Sequence, residues 1–178
     1  MRRLDFGRER PDVSEGHAVQ LIDESERPAL LAFLAATPDF PQQLAYLYRR
    51  TGGRDHCFTA WHDGQVVGML SGSFTSTFSG NRAFDSFELP PSPHAFLDRI
   101  HVHESERGRG VGTSLVRAYA EEASARGCTF IGGSIDLSSD SSARRAFFER
   151  LGFQVRGYDN FGATVNVVLE ATEARHPR

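Results

Sequence analysis

The sequence predicts an α/β domain of the α+β kind: a mixed, largely antiparallel central sheet of about seven strands flanked by four helices. Three observations predict it. Strand-like and helix-like stretches alternate along most of the chain, and crossovers by helices imply locally parallel strands inside a mixed sheet. Asp63-Gly64 separates two apolar runs and is a strong short-range hairpin signal. Arg107-Gly108-Arg109-Gly110-Val111-Gly112 stands between an apolar strand and a run with Val111, Leu115, Ala118, Tyr119 and Ala123 at helical spacing.

The elements follow in order. His17 to Ile22 alternates weakly and reads as a first strand. Ser25 or Glu26 opens a helix with Pro28 in its first turn and Leu30, Leu31, Phe33 and Leu34 on its buried side. Gln42 to Arg50 reads as a second helix ended by Gly52-Gly53. His56 to His62 and Gln65 to Phe74 are the hairpin strands, with Trp61 a core aromatic. Thr75 to His94 has no clean period. It is either a functional loop or an insertion that Phe78, Phe84 and Phe87 plug onto the fold. Phe96 to Val102 is a strand and Val111 to Arg126 a helix, with Gly127 as its left-handed cap. Cys128 to Leu137 is the next strand. Ser139 or Asp140 caps a helix burying Ala143, Phe147 and Leu151, and Gly152-Phe153 closes it. Phe153 to Tyr158 and Ala163 to Leu169 are the last two strands.

The 178 residues suit one domain with a sizeable core. A net charge of −3 argues against a general nucleic-acid surface, whose affinity comes from neutralising phosphates. Cys57 and Cys128 both lie in apolar runs and read as free buried thiols, which fits a reducing cytoplasm. No apolar run approaches the length of about 18 residues that a membrane span requires. Residues 1–16 mix arginines with acidic residues, lack an apolar core segment, and read as a flexible arm rather than a signal peptide. Residues 172–178 read as a flexible polar tail.

The glycine loop is the chemical centre. Glycines at 108, 110 and 112 leave the backbone uncrowded, and the first amides of the following helix have no internal partners. With two arginines beside them, these amides suit a phosphate or pyrophosphate. A Walker loop is excluded because no Lys stands here, and a dinucleotide fingerprint fails because Thr113 replaces its third glycine. Serine hydrolysis is also excluded, since Leu70-Ser71-Gly72-Ser73 lacks the first glycine of a nucleophile elbow. His101 and His103 supply at most two ligands where zinc needs three or four, and no third is evident, so no metal is expected.

What does fit is an arginine followed by glycines three and five residues on: Arg107, Gly110, Gly112. After a strand ending in Val102, this resembles the acyl-CoA signature of the GNAT superfamily of N-acetyltransferases. The element order resembles the GNAT fold over nearly the whole chain. The run Phe147-Phe148-Glu149-Arg150-Leu151-Gly152-Phe153 resembles the family's closing helix and Gly-Phe turn. The resemblance implies one acetyltransferase domain over residues 17–171. Its activity would be transfer of an acetyl group from acetyl-CoA, as cosubstrate, to the primary amine of a small molecule by direct attack. Acetylation of a protein or peptide amine, or acyl-CoA binding without chemistry, are the other readings. The resemblance implies no nucleic-acid or membrane partner and allows a homodimer.

It also implies the site. Ile100, His101, Val102, Arg107, Gly108, Arg109, Gly110, Val111, Gly112, Thr113 and Phe148 would hold the cofactor. Its pantetheine arm would act as an extra strand where strands 96–102 and 128–137 splay. Arg144 and Arg145 either form a solvated face or reach the 3′-phosphate. An alkyl amine has a pKa of about 10.4, so attack requires a base. Asp98, which strict alternation places on the face of Ile100 and Val102, is the first candidate and Glu88 the second. Main-chain amides at the end of strand 96–102 are the expected oxyanion donors. The chain departs from the family at the leaving group, where many members carry a Tyr general acid and this chain has Phe148. Water, Ser141, Ser142 or Tyr158 are the available substitutes.

Overall fold

A computed structural model describes residues 17–38, 40–49, 56–137, 141–157 and 159–174. The arm 1–16, the Gly52-Gly53 helix end, the Ser139 or Asp140 cap, Tyr158 and residues 175–178 lie outside them. The strands are β1 (Ala18–Leu21), β2 (His56–His62), β3 (Gln65–Ser76), β4 (His94–Val102), β5 (Phe130–Ser134), β6 (Gln154–Arg156) and β7 (Asn160–Thr164). The α-helices are α1 (Arg27–Ala36), α2 (Val111–Ala125), α3 (Ser141–Arg150) and α4 (Val165–Glu173). All seven strands form one sheet in the order β1-β2-β3-β4-β5-β7-β6. Every neighbouring pair is antiparallel except β4 with β5, which are joined by the α2 crossover. No helix among these residues is long and apolar enough to cross a membrane.

Local chemistry sets most boundaries as expected. Pro28 sits in the first turn of α1, where its missing N–H costs nothing. Asp63 and Gly64 both take positive φ, 48° and 74°, as the tight β2–β3 turn requires. Gly127 caps α2 with φ 76°. The sheet carries an apolar layer on each face. Met69 and Leu70, adjacent in β3 and so pointing to opposite faces, belong to different clusters. One cluster holds Leu30, Phe33, Leu34 and Tyr48. The other holds Leu115, Tyr119, Phe148, Phe161 and Val168.

The structure corrects several expectations. The second helix is present over Gln42–Tyr48 but with 3-10 geometry. The chain around Cys128–Leu137 pairs as a strand only over Phe130–Ser134, and Leu137 is 55% exposed. In α3 the buried residue is Phe148; Ala143 is exposed and Phe147 half-buried. Ala163 to Leu169 is not one strand: β7 ends at Thr164 and α4 begins at Val165. Thr172, placed in a polar tail, is fully buried in α4, and its hydroxyl donates to the Val168 carbonyl at 2.8 Å.

The unpatterned stretch 75–94 resolves as a plug. Phe78, Phe84 and Phe87 are buried with Phe130 in a third apolar cluster. Phe78 stacks on Phe84 with ring centroids 4.1 Å apart. The plug seats on Gly132 of β5, where an added Cβ would come within 2.7 Å of Phe84 and 2.9 Å of Phe78. His94 is fully buried beneath it, accepting from the Phe78 amide at Nδ1 and meeting the Pro90 carbonyl through Nε2.

Candidate active site

The site begins where two strands stop pairing. β4 and β5 are in register only from His94↔Phe130 to Leu97↔Gly133. β4 continues to Val102 along β3, while β5 turns away with β7. Beyond Leu97 no described strand pairs with the outer edge of β4. A cavity of about 690 Å³ opens there. Leu97 to Val102 line one wall, and Ser134, Ile135 and Asp136 the other. Arg107, Gly108 and Gly112 form its floor, with Phe147, Phe148 and Phe161 beside them.

The loop has the conformation its glycines predict. Gly108 and Gly110 hold φ of 80° and 86°, and nothing lies within 4 Å of where a Cβ would stand on Gly108. The left-handed backbone, not crowding, therefore selects glycine at 108, and the same backbone favours it at 110. Gly110 immediately precedes α2, whose first-turn amides point outward at its positive end. Arg107 is exposed, and its Nε donates to the Val102 carbonyl at 3.2 Å, folding the loop back over the end of β4.

Asp98 sits at an irregularity. Ser71 pairs with Arg99 and Gly72 with Leu97, so Asp98 is the extra residue of a β-bulge. The faces of the strand swap there. Ala95 and Leu97 belong to the same apolar cluster that Ile100 and Val102 pack against. The alternation that placed Asp98 with Ile100 and Val102 is thus corrected. Asp98 instead forms a short ion pair with its chain neighbour Arg99, a contact that regular alternation would prevent. Behind them Tyr48 is bound to the Ser71 hydroxyl at 2.9 Å. Burial pushes the Tyr48 hydroxyl above its ordinary value, and hydrogen bonds from Ser71 and Arg99 offset this in part.

Of the residues named from sequence, Asp98, Ile100, His101, Val102, Arg107, Gly108, Gly112 and Phe148 line the cavity. Arg109, Gly110, Val111 and Thr113 belong to the same loop and helix start but do not line it. Val111 is in the core, and Arg109 leans on Glu106 at 3.7 Å. Glu88 is exposed on the plug loop and does not line the cavity. Phe148 stacks on Phe161 with centroids 3.9 Å apart and offers no proton. Sequence reasoning passed over Arg99, Glu106, Ser134 and Asp136, which also line the cavity. No local pattern marks them; their position depends on where β4 and β5 part. Arg144 is there too, donating to the Asp136 carbonyl at 2.6 Å.

A splayed strand pair and a glycine loop at a helix start together offer room and donors for an extended ligand with amides and a diphosphate. The acetyltransferase (GNAT) family pattern matches residues 19–153. The chain belongs to the GNAT acetyltransferase family. Its members are acyl-CoA-dependent N-acyltransferases that use acetyl-CoA. Among solved structures, a GNAT-family acetyltransferase from Desulfovibrio desulfuricans matches with TM-score 0.67 and 15% identity, over 84% of this chain and 99% of that one. The ribosomal-protein-S18-alanine N-acetyltransferase of Escherichia coli matches with TM-score 0.62 and 16% identity, over 84% and 94%. An aminoglycoside antibiotic 6′-N-acetyltransferase from Acinetobacter baumannii matches with TM-score 0.61 and 26% identity, over 80% and 93%. No curated protein matches the sequence. The fold expected from the resemblance, a mixed and largely antiparallel seven-stranded sheet, is the fold observed.

Proposed function

We propose that this GNAT protein transfers the acetyl group of acetyl-CoA to the primary amine of a small molecule, with Asp98 as general base. The observation that carries this reading is the position of Asp98. It stands on a bulge in the cavity wall, where β4 parts from β5. Arg107 and the amides from Gly108 to Gly112 would hold the diphosphate. The outer edge of β4 over Ile100 to Val102 would pair with the pantetheine amides, the Arg107 side chain giving up its bond to the Val102 carbonyl.

The amine nitrogen bonds to the thioester carbonyl carbon, and the carbon–sulfur bond breaks. Asp98 takes the amine proton, directly or through water, while Arg99 holds the carboxylate in place. Main-chain amides of β4 beside the bulge are the donors for the developing oxyanion. The departing thiolate, with a pKa of about 8.5 by analogy with Cys, needs less help than an alkoxide, so water can supply its proton. Ser134, bound to Asn160 at 2.9 Å on the opposite wall, is the protic side chain there.

Asp98 and Asp136 give the cavity carboxylates that suit a cationic amine. The 26% identity to an aminoglycoside acetyltransferase supports a small-molecule acceptor. The likeness to a ribosomal-protein acetyltransferase keeps a peptide amine as the second reading. Two free buried thiols suit a reducing compartment such as the cytoplasm.

The test measures CoA release from acetyl-CoA with a panel of small polyamines, aminoglycosides and N-terminal peptides. Turnover with small amines supports the reading, and turnover with peptides alone overturns it. Asp98→Asn should lower kcat by about 10²–10⁴ while acetyl-CoA affinity in calorimetry holds. An unchanged kcat would remove Asp98 from the mechanism.

A further inference from the structure

A cluster outside the acyl-transfer chemistry stands at the corner of the sheet. The β1–β2 register pairs Ala18 with Trp61, so one step outward sets His17 beside His62. Their ring centroids are 5.1 Å apart. Glu106 reaches the same corner from the short turn that precedes the glycine loop. Its Oε2 lies 3.0 Å from His17 Nε2 and 3.7 Å from His62 Nδ1. The three ligand atoms all fall within 4.8 Å of one another.

We propose that His17, His62 and Glu106 form a binding site for a divalent transition-metal ion of the zinc class. Zinc bonds to nitrogen and oxygen are about 2.0–2.2 Å, which sets tetrahedral donors roughly 3.3–3.6 Å apart. The separations of 3.0 and 3.7 Å from Glu106 to the two imidazoles bracket that spacing, and all three donors fall within 4.8 Å, so side-chain rotations can bring them onto one ion. Two imidazoles and one carboxylate are a known zinc donor set, with water taking the fourth position. Magnesium and calcium prefer all-oxygen shells, so this set selects against them. The His17 and Glu106 side chains are 13% and 10% exposed, while His62 at 41% leaves an entry path.

The surrounding charges are compatible. Asp63 Oδ2 lies 3.9 Å from His62 Nε2. That is beyond hydrogen-bond distance, but a rotation of the exposed Asp63 side chain would bring its carboxylate onto the outer nitrogen and leave the inner one for a metal. Arg109 approaches Glu106 through the other carboxylate oxygen, at 3.7 Å, and its 62% exposed side chain can turn away. His101 and His103 are not part of the cluster.

The site has a consequence for the loop, which rests on the acyl-CoA reading above. Glu106 adjoins Arg107 and lines the cavity where a diphosphate would lie. Its negative charge opposes that ligand. A dication on Glu106 reverses the local charge, releases Arg109 toward the loop and fixes the β1–β2 corner to it.

Cobalt(II) added to the full-length, untagged, chelator-treated chain tests the site. The expected result is one ion per chain, with the visible absorption of a four- or five-coordinate cobalt–imidazole centre, displaced by zinc. His62→Ala, at an exposed side chain, should weaken cobalt binding by at least about tenfold, and Glu106→Gln likewise. No saturable binding near one equivalent, or unchanged binding in His62→Ala, would overturn the proposal. Calorimetry with CoA then separates the two readings. Severalfold tighter CoA binding with zinc supports the coupling. Equal CoA affinity with and without zinc removes the coupling, and failure to bind CoA in both forms tells against the acyl-CoA reading instead.

Discussion

The two halves of β4 differ although they form one continuous strand. From His94 to Leu97 it is paired on both edges, against β3 and β5, and roofed by the plug of Phe78, Phe84 and Phe87. From Asp98 to Val102 it is paired only with β3, and its other edge opens on the cavity. The transition coincides with the bulge at Asp98. Gly132 of β5 and the phenylalanines above it hold one end of the strand pair together. The pair can therefore part at the other end without losing its anchor. Stability and function are thus divided along a single strand, and each half can be disturbed alone.

The largest stability effect is expected in the closed half. Phe84 is 2% exposed and stacked on Phe78, so Phe84→Ala should cost about 3–5 kcal/mol. In a chain of this size that is a fall of about 6–20 °C in Tm. Acetyl-CoA affinity of the folded fraction should stay within about twofold. A large loss of affinity in protein that remains folded would show that the plug shapes the open half directly.

The reverse pattern is expected at the loop. Arg107 is exposed, and its side chain is charged where the cavity floor should meet a diphosphate. Arg107→Ala should weaken acetyl-CoA binding by about tenfold, near 1.4 kcal/mol, read by calorimetry. Its Tm should move by no more than about 2 °C, as for most surface substitutions. Unchanged affinity would take the diphosphate away from this loop.

The same division decides what was legible in the sequence. The loop and its helix were legible because glycine, arginine and apolar spacing are local signals. The bulge at Asp98 was not, because nothing in Leu97-Asp98-Arg99 marks an extra residue; it appears only in the register with β3. The run Ala163 to Leu169 reads as a strand because its threonine and valines favour β-structure. Val165, Val168 and Thr172 nevertheless repeat at helical spacing and are buried together, and contact with α2 decides for the helix. The plug phenylalanines were visible as apolar residues without a period, and only Gly132 on another strand explains where they seat. His17, His62 and Glu106 come together from three separate elements, so no spacing announced them.

The smallest effect belongs at the edge between the halves and the corner, in the acid stability of the metal-free protein. Hydrogen bonding from His17 holds the Glu106 carboxyl below its ordinary value of 4.5, and the nearby charges of Arg109 and His62 add to this against the opposing effect of burial. A carboxyl depressed in the folded state stabilises the protein above its unfolded value, and that contribution is lost as pH falls through the folded one. Glu106→Gln removes it at every pH. The Tm difference between wild type and Glu106→Gln, measured in chelator, should therefore shrink as the pH falls below 4.5. Parallel curves down to about pH 3.5 would mean that Glu106 binds its proton equally in the folded and unfolded chain, and that its contact with His17 contributes nothing to the fold.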